Sequence, residues 1–162
     1  MIKGKDQNGR KTAVLTLPFT AVSHASADTE AIGAALGRYL LAEQRTDAFL
    51  ALYGDLGAGK TAFVRGLASV VTPDAHVCSP TYTIVNEYRS HGRTLCHLDL
   101  YRIEDEDDLY STGFYDYMDG NSVLFIEWSE NIEYALPDER ITVSITKTES
   151  GRTIEVSGLE GR

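Results

Sequence analysis

Between residues 54 and 61 the chain reads Gly-Asp-Leu-Gly-Ala-Gly-Lys-Thr, a complete match to the phosphate-loop pattern G-x-x-x-x-G-K-[ST]. Background residue frequencies produce this pattern in a chain of this length about 0.5% of the time. Its surroundings meet the structural condition that the pattern requires. An unbroken apolar run, Ala-Phe-Leu-Ala-Leu-Tyr at 48–53, precedes it, and a helical apolar periodicity resumes over 60–71. The run has strand length and reads as a strand buried on both faces. Strand, glycine-rich loop and helix in that order form the phosphate-binding unit of an α/β fold. The glycines let backbone N–H groups approach phosphate oxygens, and the following helix N-terminus adds a favourable dipole. Lys60 is placed to bridge the β and γ phosphates, and the Thr61 hydroxyl to ligate Mg²⁺. ATP and Mg²⁺ are therefore the expected ligands, with Asp55, Gly57, Ala58, Gly59, Lys60, Thr61 and Ala62 the expected contacts. An incidental lysine is hard to argue, since Lys60 is the only lysine between Lys11 and Lys147.

Composition narrows the remaining possibilities. The 162 residues carry 24 acidic and 15 basic side chains, a net charge of −9. The basic residues are scattered singly, without the patch or stripe of an autonomous nucleic-acid binder. Protein partners and small ligands suit such a surface, and RNA would be reached only through a partner that supplies positive charge. No apolar run is long enough for a bilayer, and the first dozen residues are too polar for a signal peptide. The two cysteines, Cys78 and Cys96, match no zinc spacing and read as reduced thiols of a cytoplasmic protein.

The pattern along the chain predicts one domain over residues 12–162, preceded by a polar extension, 1–11, expected to be disordered. Residues 12–18 alternate and predict a first strand. Residues 28–41 place Ile32, Ala35, Leu36, Tyr39 and Leu40 on one helical face. Residues 83–88 and 94–100 flank Ser90-His91-Gly92 as a hairpin, 104–109 predict a short helix, and 122–127 another buried strand. Residues 140–147 and 152–156 predict a closing hairpin around Glu149-Ser150-Gly151. The expected architecture is a P-loop NTPase-like three-layer α/β sandwich with a mixed sheet and a C-terminal β-hairpin.

A P-loop site needs an acidic group at the end of a neighbouring buried strand. Asp99, after Leu-Cys-His-Leu, and Glu127, after Val-Leu-Phe-Ile, both qualify. Ser79-Pro80-Thr81-Tyr82 could sense the γ-phosphate as switch segments do, or could simply open a strand. The acidic run 104–108 lacks the alternating spacing and glycine of a calcium loop and reads as a solvated helix start. The histidines receive no site, and Trp128 is either core or a wall of the nucleotide pocket.

The blocks GDLGAGKT, SPTYTIVNEY, HLDLYR and IEWSE, in this order, resemble the TsaE (YjeE) family of bacterial ATPases for threonylcarbamoyladenosine biosynthesis on tRNA. The resemblance spans about residues 28–152. It implies a small cytoplasmic ATPase that joins two partner proteins, the transferase TsaD and its paralogue TsaB. That assembly modifies the adenosine beside the anticodon of tRNAs reading codons that start with A, and ATP hydrolysis resets it between turnovers. Carried onto this chain, Thr61 and Glu127 would coordinate Mg²⁺. Asp99 would be the acid needed for hydrolysis, alongside Lys60. Arg152 and Glu30 match positions at or near the nucleotide, and the family offers no role for residues 1–11. The alternatives are a small P-loop kinase and a nucleotide-gated binding module without turnover. A substantial arginine-bearing lid is not apparent, which counts against the kinase, and no Asn-Lys-x-Asp segment supports a GTPase.

Overall fold

The apolar runs become the centre of a seven-stranded sheet in a computed structural model that describes residues 3–5, 11–13, 15–80 and 83–158. In chain order the elements are β1 (Lys3–Lys5), β2 (Lys11–Ala13), β3 (Phe19–Ser23), α1 (Ser26–Ala42), β4 (Phe49–Tyr53), α2 (Lys60–Val71) and β5 (Val85–Ser90). There follow β6 (Arg93–Asp99), α3 (Glu106–Ser111), α4 (Phe114–Tyr117), β7 (Val123–Glu127), 3-10 turns over Ser129–Ala135, β8 (Ile141–Lys147) and β9 (Arg152–Ser157). The strand order is β3-β9-β8-β4-β7-β6-β5. The four central strands, β8-β4-β7-β6, are mutually parallel, and antiparallel hairpin partners close both sides.

Side-chain alternation explains why β4 and β7 read as continuous hydrophobic runs. Leu50, Leu52, Val123 and Phe125 face one core with α1 and α2, while Phe49, Ala51, Leu124 and Ile126 face another with α3, α4 and the 3-10 turns. Both faces are covered, so no position is free to be polar until the strand ends. Each fully buried leucine of these layers contributes about 1.5–3 kcal/mol relative to exposure. Among the described residues, no helix is long and apolar enough to cross a membrane.

The first layer is closer than the predicted helical face implied. The buried residues of α1 are Thr29, Gly33, Leu36, Gly37 and Leu40. A Cβ at Gly33 would lie 2.1 Å from the Phe63 carbonyl oxygen, and one at Gly66 would lie 1.9 Å from that of Glu30. The two helices thus touch backbone to backbone, and even a methyl group at Gly66 would force them apart at a cost of about 1–3 kcal/mol or more. This contact fixes α2, and with it the phosphate loop, against α1.

Three expectations shift. Burial alternates without a break from Leu15 to Ser23, but pairing with the main sheet begins at Phe19, and of the expected strand 12–18 only Thr12 and Ala13 pair, with Gly4 and Lys3 of β1. Pro18 offers no N–H to a ladder, and β9 supplies partners only from Phe19 onward. Of the extension 1–11, expected to be disordered, Lys3–Lys5 and Lys11 lie in a two-stranded antiparallel pairing that also takes in Thr12 and Ala13; the rest of that extension lies outside the described residues. The helix α4 and the 3-10 turns were not predicted, being too short to show a period. The first hairpin is as expected. Its loop is the pair His91-Gly92, both at positive φ, +50° and +72°, the conformation that matches strand twist.

Candidate nucleotide-binding site

The loop begins where β4 ends, in the middle of the sheet. Ala58 N–H turns back to the Asp55 carbonyl at 3.0 Å, and Phe63 N–H makes the first helical bond, to the Gly59 carbonyl at 3.0 Å. The N–H groups of Lys60, Thr61 and Ala62, in the first turn of α2, therefore have no intrahelical acceptor. Gly59 caps the helix at φ +109°, ψ 21°, a conformation that a side chain at this position would strain. The result is a helix N-terminus facing a cleft, suited to an anion.

That cleft has a volume of about 540 Å³, and Gly57, Gly59, Lys60, Thr61 and Ala62 line it together with Asp99 and Glu127. The acids meet because β6 and β7 are parallel and in register, with Asp99 directly opposite Glu127 at the strand ends. Asp99 is 8% exposed and Glu127 4%. The Asp99 carboxylate accepts the Tyr101 N–H at 3.0 Å, and Glu127 Oε1 lies 2.8 Å from His97 Nε2.

Lys60 is 7% exposed, and its ammonium donates to the Gly54 carbonyl at 2.6 Å and lies 3.4 Å from that of Asp55. The same ammonium sits 4.4 Å from the centre of the Trp128 ring. Carbonyls and a ring face satisfy the charge without neutralising it, so the cation remains available to an incoming phosphate. Trp128 holds φ +62°, ψ 41°, a left-handed conformation that costs about 1–2 kcal/mol outside glycine. Its ring packs on Tyr101 at 4.9 Å, and both line the cleft. The structure thus makes Trp128 a wall of the pocket. At the root of the loop, burial and then the negative charge of Glu133 push the Tyr53 hydroxyl above its ordinary value, which leaves a neutral phenol there.

The closing hairpin reaches the loop from outside. Lys147 and Arg152 face each other across β8 and β9. Lys147 Nζ donates to the Leu56 carbonyl at 2.9 Å. Arg152 Nε donates to the Ala58 carbonyl, and its Nη2 lies 3.4 Å from that of Gly57.

The other expected residues divide. Ser79 lines the cleft, while Thr81 and Tyr82 lie outside the described residues. The Asp55 side chain is exposed, and its backbone carbonyl does the local work. Glu30 is not among the lining residues; it pairs with Arg65 at 2.6 Å on the outer surface. Its neighbour Thr29 is the α1 residue that packs against Gly59, its methyl 3.7 Å from where a Cβ would stand. The acidic run behaves as a helix start, with the Asp105 carboxylate accepting the Asp108 N–H at 2.9 Å. Lys147, His97 and Tyr101 were not assigned roles from sequence. His97 left a signal, since it shares the strand face of Asp99 two residues on, and Lys147 stood out only as a rare lysine.

The donor set fits a hard divalent cation. Thr61, Asp99 and Glu127 offer oxygen only, and among the described residues no three His, Cys, Asp or Glu side chains form a cage. Mg²⁺ commonly binds through one or two carboxylates plus phosphate oxygens and water, which is what this cleft could supply around a nucleotide.

Over residues 23–154 the sequence matches the family described as "Threonylcarbamoyl adenosine biosynthesis protein TsaE". The chain belongs to the TsaE family. Proteins named "tRNA threonylcarbamoyladenosine biosynthesis protein TsaE" are similar to it. The one from Haemophilus influenzae is 43% identical over 105 residues, 65% of this chain and 66% of that one. The one from Bacillus subtilis is 43% identical over 98 residues, 60% and 61% of the two chains. The one from Treponema pallidum is 37% identical over 125 residues, 76% and 88%. The matches thus span slightly less than two thirds of the first two relatives' lengths. In three dimensions the chain resembles "Crystal structure of Bacillus subtilus YdiB", with a TM-score of 0.71 and 28% identity, covering 91% of this chain and 90% of that one. This TsaE-family chain has the mixed-sheet α/β fold of a P-loop NTPase.

Proposed function

We propose that this TsaE-family chain binds ATP with Mg²⁺ in the cleft and hydrolyses it slowly, as a subunit of the assembly that forms threonylcarbamoyladenosine on tRNA. The observation that carries the reading is the convergence of Lys60, Thr61, Asp99 and Glu127 on one cleft at the end of the parallel strands. The family's printed description supports the pathway.

Residue roles follow from position. The first-turn N–H groups of α2 and the Lys60 ammonium hold the phosphates. Lys60 would exchange a carbonyl partner for a phosphate oxygen, the stronger charge-assisted bond. The Thr61 hydroxyl and the Glu127 carboxylate hold the cation. Asp99, at the strand end opposite Glu127, is the acid needed for hydrolysis. Arg152 holds the carbonyl side of the loop so that its N–H side faces the ligand. Mg²⁺ would supply charge neutralisation as the phosphoanhydride bond breaks. In this reading ATP turnover serves to reset the complex between rounds of tRNA modification. The partners in this reading are the transferase TsaD and its paralogue TsaB. An acidic chain meets tRNA only through them, in the cytoplasm.

Single-turnover hydrolysis and pull-down with TsaD and TsaB, in ATP, ADP and no nucleotide, test the reading together. Hydrolysis stimulated by the partners, with association that depends on the nucleotide state, is expected. Tight ATP binding with no turnover under any condition would leave a nucleotide-gated binding module instead.

A further inference from the structure

Behind the carboxylates of the cleft lies a buried imidazole to which the reading above gives no role. His97 is fully buried on β6, on the same strand face as Asp99. Its Nε2 lies 2.8 Å from Glu127 Oε1, and Glu127 is itself 4% exposed. The ring stands edge-on to Phe125, with centroids 5.5 Å apart at 90°, so packing as well as hydrogen bonding sets its plane.

The other ring nitrogen decides the tautomer. His97 Nδ1 is buried with no hydrogen-bond partner among the described residues. A buried N–H without an acceptor costs about 1–3 kcal/mol, and no described residue offers Nδ1 an acceptor to offset it. The proton therefore sits on Nε2, where it is donated to Glu127. That bond occupies Oε1 and leaves the second carboxylate oxygen for the cleft that Glu127 lines.

We propose that His97 is a positioning residue for Glu127: it fixes the carboxylate's rotation and presents one oxygen to the cation site. A carboxylate at a strand end otherwise turns about its last torsions, which are broad and weakly preferred. Partners of this kind, one bond behind a metal-binding side chain, commonly alter metal affinity by about 10–100-fold when removed. The inference rests on the assignment of Glu127 to Mg²⁺ under Proposed function.

Trp128 adjoins Glu127 and is the only tryptophan, so its fluorescence reports nucleotide binding without relying on turnover. ATP titrations in Mg²⁺ and in EDTA should be run on the wild type, His97→Leu and His97→Gln. Leucine keeps much of the volume and removes the donor, whereas glutamine places an amide N–H near the position of Nε2. His97→Leu should lose about tenfold in the Mg²⁺-supported affinity and stay within about twofold in EDTA, and His97→Gln should recover most of the loss. Should the leucine variant fail to fold, His97→Asn replaces it, since its shorter amide cannot reach Glu127. Unchanged Mg²⁺-supported affinity in the leucine or asparagine variant would overturn the proposal. Equal losses with and without Mg²⁺, unrelieved by glutamine, would also overturn it and leave His97 a packing residue. A wild type whose ATP affinity ignores Mg²⁺ would instead remove the metal assignment, and this inference with it.

Discussion

Asp99 and Glu127 end strands that are covered on both faces, whereas Lys147 and Arg152 sit on a hairpin with one face open to solvent. The contrast shows in burial along the strands. All five positions of β7 are buried, while β8 and β9 alternate between inward apolar and outward polar residues. The acids are held by neighbours that cannot move without disturbing a core. The bases are held by hydrogen bonds to three consecutive carbonyls of the phosphate loop, from Leu56, Gly57 and Ala58. The acidic wall of the cleft is preorganised, and the outer support of its phosphate loop is adjustable. A site that stabilises charge gains most from groups that need no reorganisation. The buried acids should therefore govern chemistry, and the hairpin bases should govern how well the loop receives its ligand.

The largest effect should come from the residue between the two sides. Lys60→Ala removes the cation that bridges loop, ring and phosphate, and should weaken ATP binding by about 100-fold, nearly 3 kcal/mol of charge-assisted bonding. Isothermal titration measures this directly, and near wild-type affinity would remove the phosphate reading of the loop. The buried side comes next. Asp99→Asn and Glu127→Gln should each lower the single-turnover rate by about 100-fold, since each keeps the shape and deletes a charge from a low-dielectric site. Asp99→Asn should leave ATP affinity nearly unchanged, while Glu127→Gln should also shift the Mg²⁺ requirement upward. If the two exchange these signatures, the cation belongs to Asp99.

The same division separates what could be read in the sequence from what could not. Strands covered on both faces announce themselves as apolar runs, and a carboxylate that ends such a run stands out. Lys60 and Thr61 are legible because the loop's chemistry demands those residue types at that spacing. Lys147 was legible only as a rare lysine, because its link to Leu56 joins positions 91 residues apart and depends on the register of β8 and β9. His97 needed the parallel register of β6 and β7 to bring it to Glu127. The glycine contacts between α1 and α2 carried no hydrophobic signal, yet they set the helix spacing more firmly than the larger residues do. The first strand was displaced because alternation reports burial, and the alternation runs on through the exposed Pro18, where pairing cannot.

A smaller loss should follow on the hairpin from Arg152→Ala. It deletes the donor to the Ala58 carbonyl and should reduce ATP affinity by about tenfold, with hydrolysis of bound ATP falling less. Arg152→Lys should restore only part of it, since one ammonium cannot span the Ala58 and Gly57 carbonyls as the planar guanidinium does. A rate loss exceeding the affinity loss would break the division drawn above and move Arg152 to the chemical side.

Lys147→Ala should have the smallest effect, and its form is more informative than its size. The side chain is exposed and, among the described residues, makes a single hydrogen bond, to a loop carbonyl that water can also satisfy. Loss of that bond alone predicts a two- to threefold decrease in ATP affinity, near the lower end of what one exposed hydrogen bond contributes. The positive charge adds a second, longer-range attraction to a polyanionic ligand, and salt screens it over about 10 Å at 0.1 M. The two contributions separate in a salt titration. Lys147→Gln keeps a donor for the Leu56 carbonyl and removes the charge. If the bond to the loop is what matters, Lys147→Gln should match the wild type at every ionic strength. If the charge is what matters, Lys147→Gln should behave as Lys147→Ala at low salt and converge on the wild type as salt rises. The geometry favours the first outcome, because Nζ is already committed to Leu56. A salt-dependent defect in Lys147→Gln would show that the hairpin acts on the ligand directly as well as through the loop.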